Sequence, residues 1–186
     1  MSAPPATATG RIGPNAVLQL LAAVAAEEGE GMAARLVAEA GIADPRLLRD
    51  PGMLAVTEVT ALHRALLEQL GPERARALAT EAGRRTAAYL LAHRIPRPFQ
   101  ALLRLLPRLA ARGLLLRSIA RHAWTFTGGG GFAVEPGPLE RLRIAPCPLC
   151  PPTGAPGLGC VYYAATFEAL RPSASKPDRG IVNVRT

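Results

Sequence analysis

The sequence predicts an α+β fold in which helices come first, followed by short strands and a final helix. As far as Arg121, the apolar residues recur every three to four positions, which is the spacing of amphipathic helices. After His122 the spacing shortens to two, as in half-buried strands. Six of the eight aromatic residues lie in this second region, between Trp124 and Phe167. These observations predict a mixed domain with an aromatic-lined pocket.

Proline, glycine and capping residues predict where the helices begin and end. Pro14 suits a first helical turn, and Gly41 can take the left-handed conformation that ends a helix. Thr57 can cap a third helix, which Gly71-Pro72 separates from the fourth, and Pro107 kinks or splits the fifth. The predicted helices cover residues 14–28, 31–40, 57–70, 72–92 and 99–122.

A hairpin is predicted where the helical spacing ends. Its strands are residues 122–127 and 132–135, on either side of four glycines that form a loose loop. His122, Trp124 and Phe126 then share one strand face, an arrangement suited to clamping a flat conjugated ring.

Two more elements and a tail complete the predicted organisation. Residues 139–145 alternate between apolar and charged side chains, as a strand does, and residues 161–170 form a short helix with Tyr162 and Tyr163. Residues 1–10 are rich in proline, alanine and threonine, so we expect a disordered tail.

The formal net charge of +8 rests on 21 arginines and a single lysine, Lys176. Part of this preference for arginine is what a GC-rich genome would produce. Between Ala82 and Val134 there are nine arginines and no aspartate or glutamate. Such a block attracts anions, so it predicts a surface for a carboxylated ligand or an anionic membrane, although a solvated helix face has the same composition.

Length, cysteine count and hydropathy argue against a secreted disulfide-rich protein and against a membrane-spanning one. A chain of 186 residues suits one domain whose core needs no disulfides, and three cysteines do not make a secreted disulfide framework. Residues 12–26 have the periodicity of a core helix rather than of a signal peptide, and no run reaches the roughly 20 apolar residues of a membrane span. We therefore expect a cytoplasmic protein, peripheral to a membrane at most, that binds no nucleic acid.

The cysteines suggest part of a metal site. Cys147-x-x-Cys150, with Cys160 downstream, has the sulfur spacing of zinc sites, but the histidines lie upstream without zinc spacing and no fourth ligand is evident. The glycine run also fails as a dinucleotide site, because it lies between two predicted strands and not before a helix. The sequence thus predicts an incomplete zinc site, with less than one zinc per chain, and no other cofactor.

Three segments occur in a distinctive order. They are Arg11-Ile-Gly-Pro-Asn-Ala, His122-Ala-Trp-Thr-Phe with the glycines after it, and Cys160-Val-Tyr-Tyr-Ala-Ala-Thr-Phe-Glu168. They resemble the 4-vinyl-reductase family of small-molecule-binding domains, whose namesake acts in bacteriochlorophyll biosynthesis in purple bacteria. The resemblance covers residues 11–170 as one domain. It implies helices packed on a small antiparallel sheet, with an apolar ligand pocket between the layers.

The resemblance also implies a ligand: a vinyl-bearing magnesium tetrapyrrole intermediate, with reduction of a ring vinyl group to ethyl as the nominal reaction. Such a ligand is flat and carries propionates, so it needs aromatic faces and arginines at its rim. The candidate ligand-binding residues are His122, Trp124, Phe126, Phe132, Tyr162, Tyr163, Arg117 and Arg121. Because no motif for a hydride donor is present, a binding or delivery factor is favoured over a reductase that acts alone.

Residues 171–186 depart from the family. They lack the glutamate and cysteines that complete a zinc site in related sensor proteins, so the segment is truncated or altered, or this chain has abandoned the metal. Two other functions stay open: a reductase supplied by an external donor, and a sensor or scaffold module for another aromatic or hydrocarbon ligand. The expected partners are the tetrapyrrole, a pathway enzyme or second copy, and the photosynthetic membrane.

Overall fold

The computed structural model describes residues 10–42, 52–135, 141–150, 157–171 and 183–185. In chain order the elements are β1 Arg11–Ile12, α1 Asn15–Glu28, α2 Glu30–Glu39, β2 Leu54–Ala55, α3 Val56–His93, α4 Arg97–Leu105, α5 Arg108–Arg121, a 3-10 turn Ala123–Thr125, β3 Gly131–Glu135, β4 Arg141–Ala145, α6 Leu158–Ala169 and β5 Asn183–Arg185. The predicted α+β class is confirmed. Within the described ranges, no helix is both long and apolar enough to span a bilayer.

The core forms where α1 and α6 pack against α3. Its leucines, such as Leu20 on α1 and Leu66 on α3, have no exposed surface. The α3–α6 crossing is close because Gly83 has no side chain: a Cβ there would lie 2.9 Å from the Cβ of Ala165 and closer still to the Tyr162 carbonyl oxygen. Thr166 also donates a hydrogen bond to the Gly83 carbonyl at 3.1 Å. A glycine at this position therefore determines how closely the two helices approach.

The break predicted at Gly71-Pro72 is present as a kink within α3. Gly71 has a φ of 73°, a conformation that side chains with a Cβ rarely adopt. The helix begins one residue before the predicted cap at Thr57, and the carboxylate of Glu58 accepts the Ala55 N–H at 3.2 Å. An acidic side chain thus satisfies a donor at the positive end of the helix.

Two small sheets are present in the described residues. β1 and β2 pair antiparallel, and in the second sheet β3 pairs antiparallel with β4. The third strand of that sheet, β5, pairs parallel with β4, which differs from the all-antiparallel sheet expected. β5 comes from residues 171–186, so part of this atypical segment belongs to the domain. Leu142 and Ile144 of β4 are buried in the core.

The strand predicted at residues 122–127 is wrong. His122 ends α5, and a 3-10 turn follows directly. The amides of this segment make local hydrogen bonds, from Thr125 N to the His122 carbonyl at 3.0 Å and from Thr127 N to the Ala123 carbonyl at 2.9 Å. Because these donors are already used, the segment does not pair as a strand. His122, Trp124 and Phe126 therefore do not share a strand face, and the antiparallel partner of β3 is β4.

Two of the four glycines, Gly128 and Gly130, are closely packed, whereas Gly129 and Gly131 are exposed. Gly128 and Gly129 have φ values of 60° and 89°. A Cβ on Gly130 would lie 2.7 Å from the Pro146 carbonyl oxygen, and one on Gly128 would overlap the side chain of Val56. Glycine is favoured at these two positions because a Cβ at either one would lie too close to an atom of a neighbouring segment.

The helix predicted at residues 99–122 is split at Pro107 into α4 and α5. Gln100 on α4 donates to the Leu91 carbonyl at 2.7 Å and to the Ile95 carbonyl at 2.8 Å. These two hydrogen bonds hold α4 against the last turn of α3 and the residues that follow it. We call α4 and α5 together the arm.

Candidate functional site

The predicted ligand-binding residues are divided between a buried cluster and an exposed ridge. Tyr162 and Tyr163 are 3% and 2% exposed, and Phe126 and Phe132 are half-buried beside them. The remaining four lie at the surface around the C-terminal end of α5; we call them the α5 ridge, and they are Arg117, Arg121, His122 and Trp124. The structure thus brings the first four together in the interior and leaves the others facing solvent.

The buried residues form an aromatic cluster, which consists of Phe126, Phe132, Tyr162, Tyr163 and Phe167. The ring of Phe126 meets Phe132 edge-on at 5.6 Å and Phe167 at 5.7 Å between centroids. Tyr163 and Phe167 are nearly parallel, with 16° between their planes. Such edge-on and offset contacts stabilise packed aromatic residues. The rings therefore contact one another and connect the end of the arm to α6.

Both tyrosine hydroxyls of the cluster have partners within the fold. Tyr163 donates to the Phe126 carbonyl at 2.6 Å. Thr86 donates to the Ala82 carbonyl, so the 2.8 Å contact between the hydroxyls of Tyr162 and Thr86 has Tyr162 as its donor. Burial raises the pKa of both tyrosines, which keeps them neutral at physiological pH. These hydroxyls support the structure.

The α5 ridge has the donor groups that a metallated flat ring requires. The Nδ1 atom of His122 lies 2.8 Å from the Ser118 carbonyl oxygen, and only a protonated nitrogen can bond to a carbonyl. We therefore assign the proton to Nδ1, which leaves Nε2 with the lone pair of the neutral ring. Trp124, two residues further along the chain, is 64% exposed. Arg117 and Arg121, one helical turn apart, are exposed on α5 and can pair with carboxylates.

A cavity of about 190 Å³ lies elsewhere, among the helices. It is lined by Leu91, Ile95, Gln100, Leu103, Arg104, Leu115 and residues 169–171. None of the predicted ligand-binding residues lines it, and it lies among helices, whereas the resemblance implied a pocket between helices and sheet. Its volume is below the roughly 300 Å³ at which pockets for drug-sized ligands begin. The cavity is therefore too small to enclose a tetrapyrrole ring.

The three cysteines are close together at the start of α6. Cys147 and Cys150 form a disulfide, and Cys160 is a half-buried free thiol. A Cβ on Gly157 would lie 2.8 Å from the sulfur of Cys160 and 3.1 Å from that of Cys150, so a glycine is required between them. Burial raises the pKa of the Cys160 thiol, against a smaller opposing effect of Arg76.

The zinc site stays a prediction. In the part of the chain that the structure describes, no group of three or more histidine, cysteine or acidic side chains is arranged to hold a metal ion. If zinc binds, the Cys147–Cys150 disulfide must first be reduced, because zinc is held by thiolates.

His63 is a polar residue whose position sequence reasoning missed. It lies on α3 with no exposed surface, and its ring meets Tyr162 edge-on at 6.4 Å between centroids. Neither ring nitrogen makes a hydrogen bond of ordinary geometry, and burial lowers the pKa of His63 to about 4, with a small opposing effect of the Ala16 backbone. The signal was present in the sequence, because the apolar residues Leu62 and Leu66 place residue 63 on the buried side of the helix.

Comparison with known proteins places the chain in a family. A protein named bacteriochlorophyll synthase 23 kDa chain, from Cereibacter sphaeroides, is 42% identical to it over 160 residues, which are 86% of this chain and 76% of that protein. A protein of the same name from Rhodobacter capsulatus is 38% identical over 160 residues, again 86% of this chain and 73% of the relative. No family model and no solved structure matches. The chain therefore belongs to the family of the bacteriochlorophyll synthase 23 kDa chains.

Proposed function

We propose that this chain binds a vinyl-bearing magnesium tetrapyrrole intermediate of bacteriochlorophyll biosynthesis and delivers it to a pathway enzyme. The name shared by its relatives, bacteriochlorophyll synthase 23 kDa chain, supports a role in bacteriochlorophyll biosynthesis and an association with a synthase. The observation that carries the binding role is the orientation of His122 in the α5 ridge. Its Nδ1–H donates to the Ser118 carbonyl at 2.8 Å, which leaves the lone pair of Nε2 outside this hydrogen bond.

This arrangement is the one that proteins use for histidines that ligate metals. The second ring nitrogen donates to a carbonyl or carboxylate, which determines the tautomer and the ring orientation. A magnesium ion at the centre of a tetrapyrrole would accept Nε2 as an axial ligand, the indole of Trp124 would cover part of the macrocycle, and Arg117 with Arg121 would pair with propionates. The aromatic cluster beneath would hold the ridge in place.

Exposure of the ridge favours delivery over catalysis. Reduction of a vinyl group needs a hydride or electron donor held beside the ring and shielded from water, whereas His122 and Trp124 face solvent. An open site lets a ligand pass directly to a partner protein. The reductase alternative remains open if a partner supplies the donor and closes over the ring.

A second candidate is a sensor or scaffold module for a small aromatic or hydrocarbon ligand. The observation in its favour is the cavity of about 190 Å³, whose lining is largely apolar but also includes Gln100, Arg104 and Arg171. Apolar cavities of about 150 Å³ bind molecules as small as benzene. This function would use the interior of the arm instead of the α5 ridge.

Absorbance titration separates these possibilities. Magnesium protoporphyrin should bind with a shift of its absorbance bands, and His122→Ala should remove that shift and weaken binding about tenfold or more, equivalent to about 1.4 kcal/mol. His93→Ala, which also removes an exposed histidine, is the matched control and should bind normally. Metal-free protoporphyrin should bind equally to the native chain and to His122→Ala. If magnesium protoporphyrin also binds equally to the native chain and to His122→Ala, the proposed ligation of magnesium by His122 is wrong.

The indole of Trp124 is the second feature to test. Trp124→Ala should weaken binding of the magnesium tetrapyrrole by about 1 to 3 kcal/mol, the scale of one aromatic stacking contact. The free energy of unfolding should change little, since the side chain is 64% exposed. Unchanged affinity in the folded variant would remove Trp124 from the site.

A third experiment tests the reductase alternative. Adding reduced nicotinamide, with and without a synthase partner, shows whether the vinyl group of the bound tetrapyrrole is reduced.

A further inference from the structure

We infer that the corner between α4 and α5 is a docking surface for an anionic lipid bilayer. The corner carries three exposed leucines, which we call the leucine tip: Leu102, Leu105 and Leu109. Leu105 and Leu109 are 84% and 81% exposed, and Leu102 is 44% exposed. Single exposed leucines are ordinary, but here three occur within eight residues on either side of one proline.

The leucine tip is part of an arm that is hydrogen-bonded to the rest of the fold. On α4, Leu103 turns inward and is 6% exposed, while Leu102 and Leu105 turn outward. On α5, Leu115 faces the same interior. The two hydrogen bonds of Gln100 hold α4 to the end of α3, so the outward leucines are part of an ordered surface. The arm therefore has two apolar sides, one of which is exposed among the residues that the structure describes.

The positive charge beside the exposed leucines indicates which kind of partner this side of the arm would bind. Arg104 and Arg108 are exposed and alternate with the leucines of the tip along the chain, and Arg104 also lines the edge of the cavity. No carboxylate occurs in the sequence from Ala82 to Val134. An amphipathic helix that lies in a membrane interface has this composition, with leucines in the acyl region and arginines at the depth of the phosphates. Anionic headgroups would supply countercharge to Arg104 and Arg108.

Other occupants fit the corner less well. A second copy docked corner to corner would bring two sets of arginines together with no acidic residue between them, which is unfavourable. A protein partner would need a cavity shaped to take two protruding leucines together with carboxylates placed at both arginines. A bilayer provides an apolar interior for the leucines and anionic headgroups for the arginines, and it does so without shape complementarity. The inference is independent of tetrapyrrole binding, which concerns the other end of α5.

Vesicle sedimentation of the full chain tests the inference. The protein should pellet with vesicles of phosphatidylcholine containing about one-third phosphatidylglycerol at low salt, and stay in solution with pure phosphatidylcholine. Arg104→Glu with Arg108→Glu should weaken the partition at least about tenfold, because each arginine near an anionic surface contributes several-fold and both signs are reversed. Leu105→Gln with Leu109→Gln keeps the charge and should weaken binding about tenfold as well.

The matched control is Arg35→Glu with Arg64→Glu, which changes the net charge by the same amount on exposed parts of α2 and α3. It should bind nearly as well as the native chain, and circular dichroism should show that all three variants are folded. The inference is overturned if the native chain does not bind at low salt, or if the control loses as much binding as the tip variants. It is also overturned if the leucine variant binds normally, or if sedimentation equilibrium shows a dimer that the tip variants abolish.

Discussion

The body of the molecule and its arm contain the same residue types but use them differently. In the body, Leu20 and Leu66 are fully buried, and Arg74 pairs with Glu27 at 3.0 Å. In the arm, Leu105 and Leu109 are more than four-fifths exposed, and the surrounding sequence has no acidic residue. Leucine and arginine thus serve folding in the body, whereas Leu105 and Leu109 of the arm face solvent. Three predictions sharpen this contrast.

The largest effect is expected from matched leucine truncations. Leu66→Ala removes a side chain with no exposed surface and should lower the free energy of unfolding by about 3 to 5 kcal/mol. Leu109→Ala removes one that is 81% exposed and should change it by less than about 0.5 kcal/mol. Urea denaturation followed by circular dichroism measures both. Equal losses would show that the tip packs within the fold and that the two regions do not differ.

Acid should destabilise the body through His63. Burial lowers the pKa of this histidine from 6.5 to about 4, so in that window the unfolded chain binds a proton that the folded chain rejects. The free energy of unfolding should therefore be highest above pH 6.5 and fall as pH drops, by about 1.4 kcal/mol per unit and about 3 kcal/mol by pH 4.

Denaturation curves of the His63→Leu variant between pH 4 and 7.5 check this pH dependence. The variant should lose this part of the slope, and it should be at least as stable as the native chain at pH 7.5 because both ring nitrogens of His63 lack hydrogen bonds. His93→Leu replaces an exposed histidine and should keep the slope. An unchanged slope in His63→Leu would mean that the imidazole is accessible to protons in the folded state.

A pair of glycine substitutions gives the smallest contrast. Gly83→Ala places a methyl group against the backbone of α6 and should destabilise the fold by about 1 to 3 kcal/mol. Gly113→Ala on the arm meets no atom within 4 Å and should stabilise the chain by up to about 1 kcal/mol through helix propensity. Thermal unfolding midpoints should move in opposite directions. A shift in the same direction would contradict the close α3–α6 crossing.

Much of the helical layer could be predicted from local patterns. The ends of α1 and α2, the break at Gly71-Pro72 and the split at Pro107 each depend on a residue that changes the backbone by itself, so a short window of sequence contains the signal. The same windows could not predict how residues 122–127 pair. Alternating aromatic residues are typical of a strand, but a 3-10 turn after a helix also leaves Trp124 exposed and Phe126 half-buried.

The candidate site was only partly predictable for the same reason. Composition identified the residues of the α5 ridge and of the aromatic cluster, and the arginine-rich block was evident from a count. Which of them face solvent depends on the packing of α6 and β3 against the end of the arm, which are distant in sequence. The cavity beside Leu103 and Leu115 was missed because its walls come from four helices.

The sequence by itself determined the class of fold, the helix breaks and the excess of arginine, because each depends on residue types and their spacing along the chain. The resemblance to the 4-vinyl-reductase family stays a prediction, and the relatives confirm only the association with bacteriochlorophyll biosynthesis. Tertiary structure alone decided that His63 is buried with no hydrogen bond of ordinary geometry to a described residue. It also decided that the sulfurs of Cys150 and Cys160 both lie close to Gly157, and that the leucine tip is exposed in the part of the chain that the structure describes. Burial and proximity are properties of elements packed together, and a residue's neighbours in space are not its neighbours in the chain.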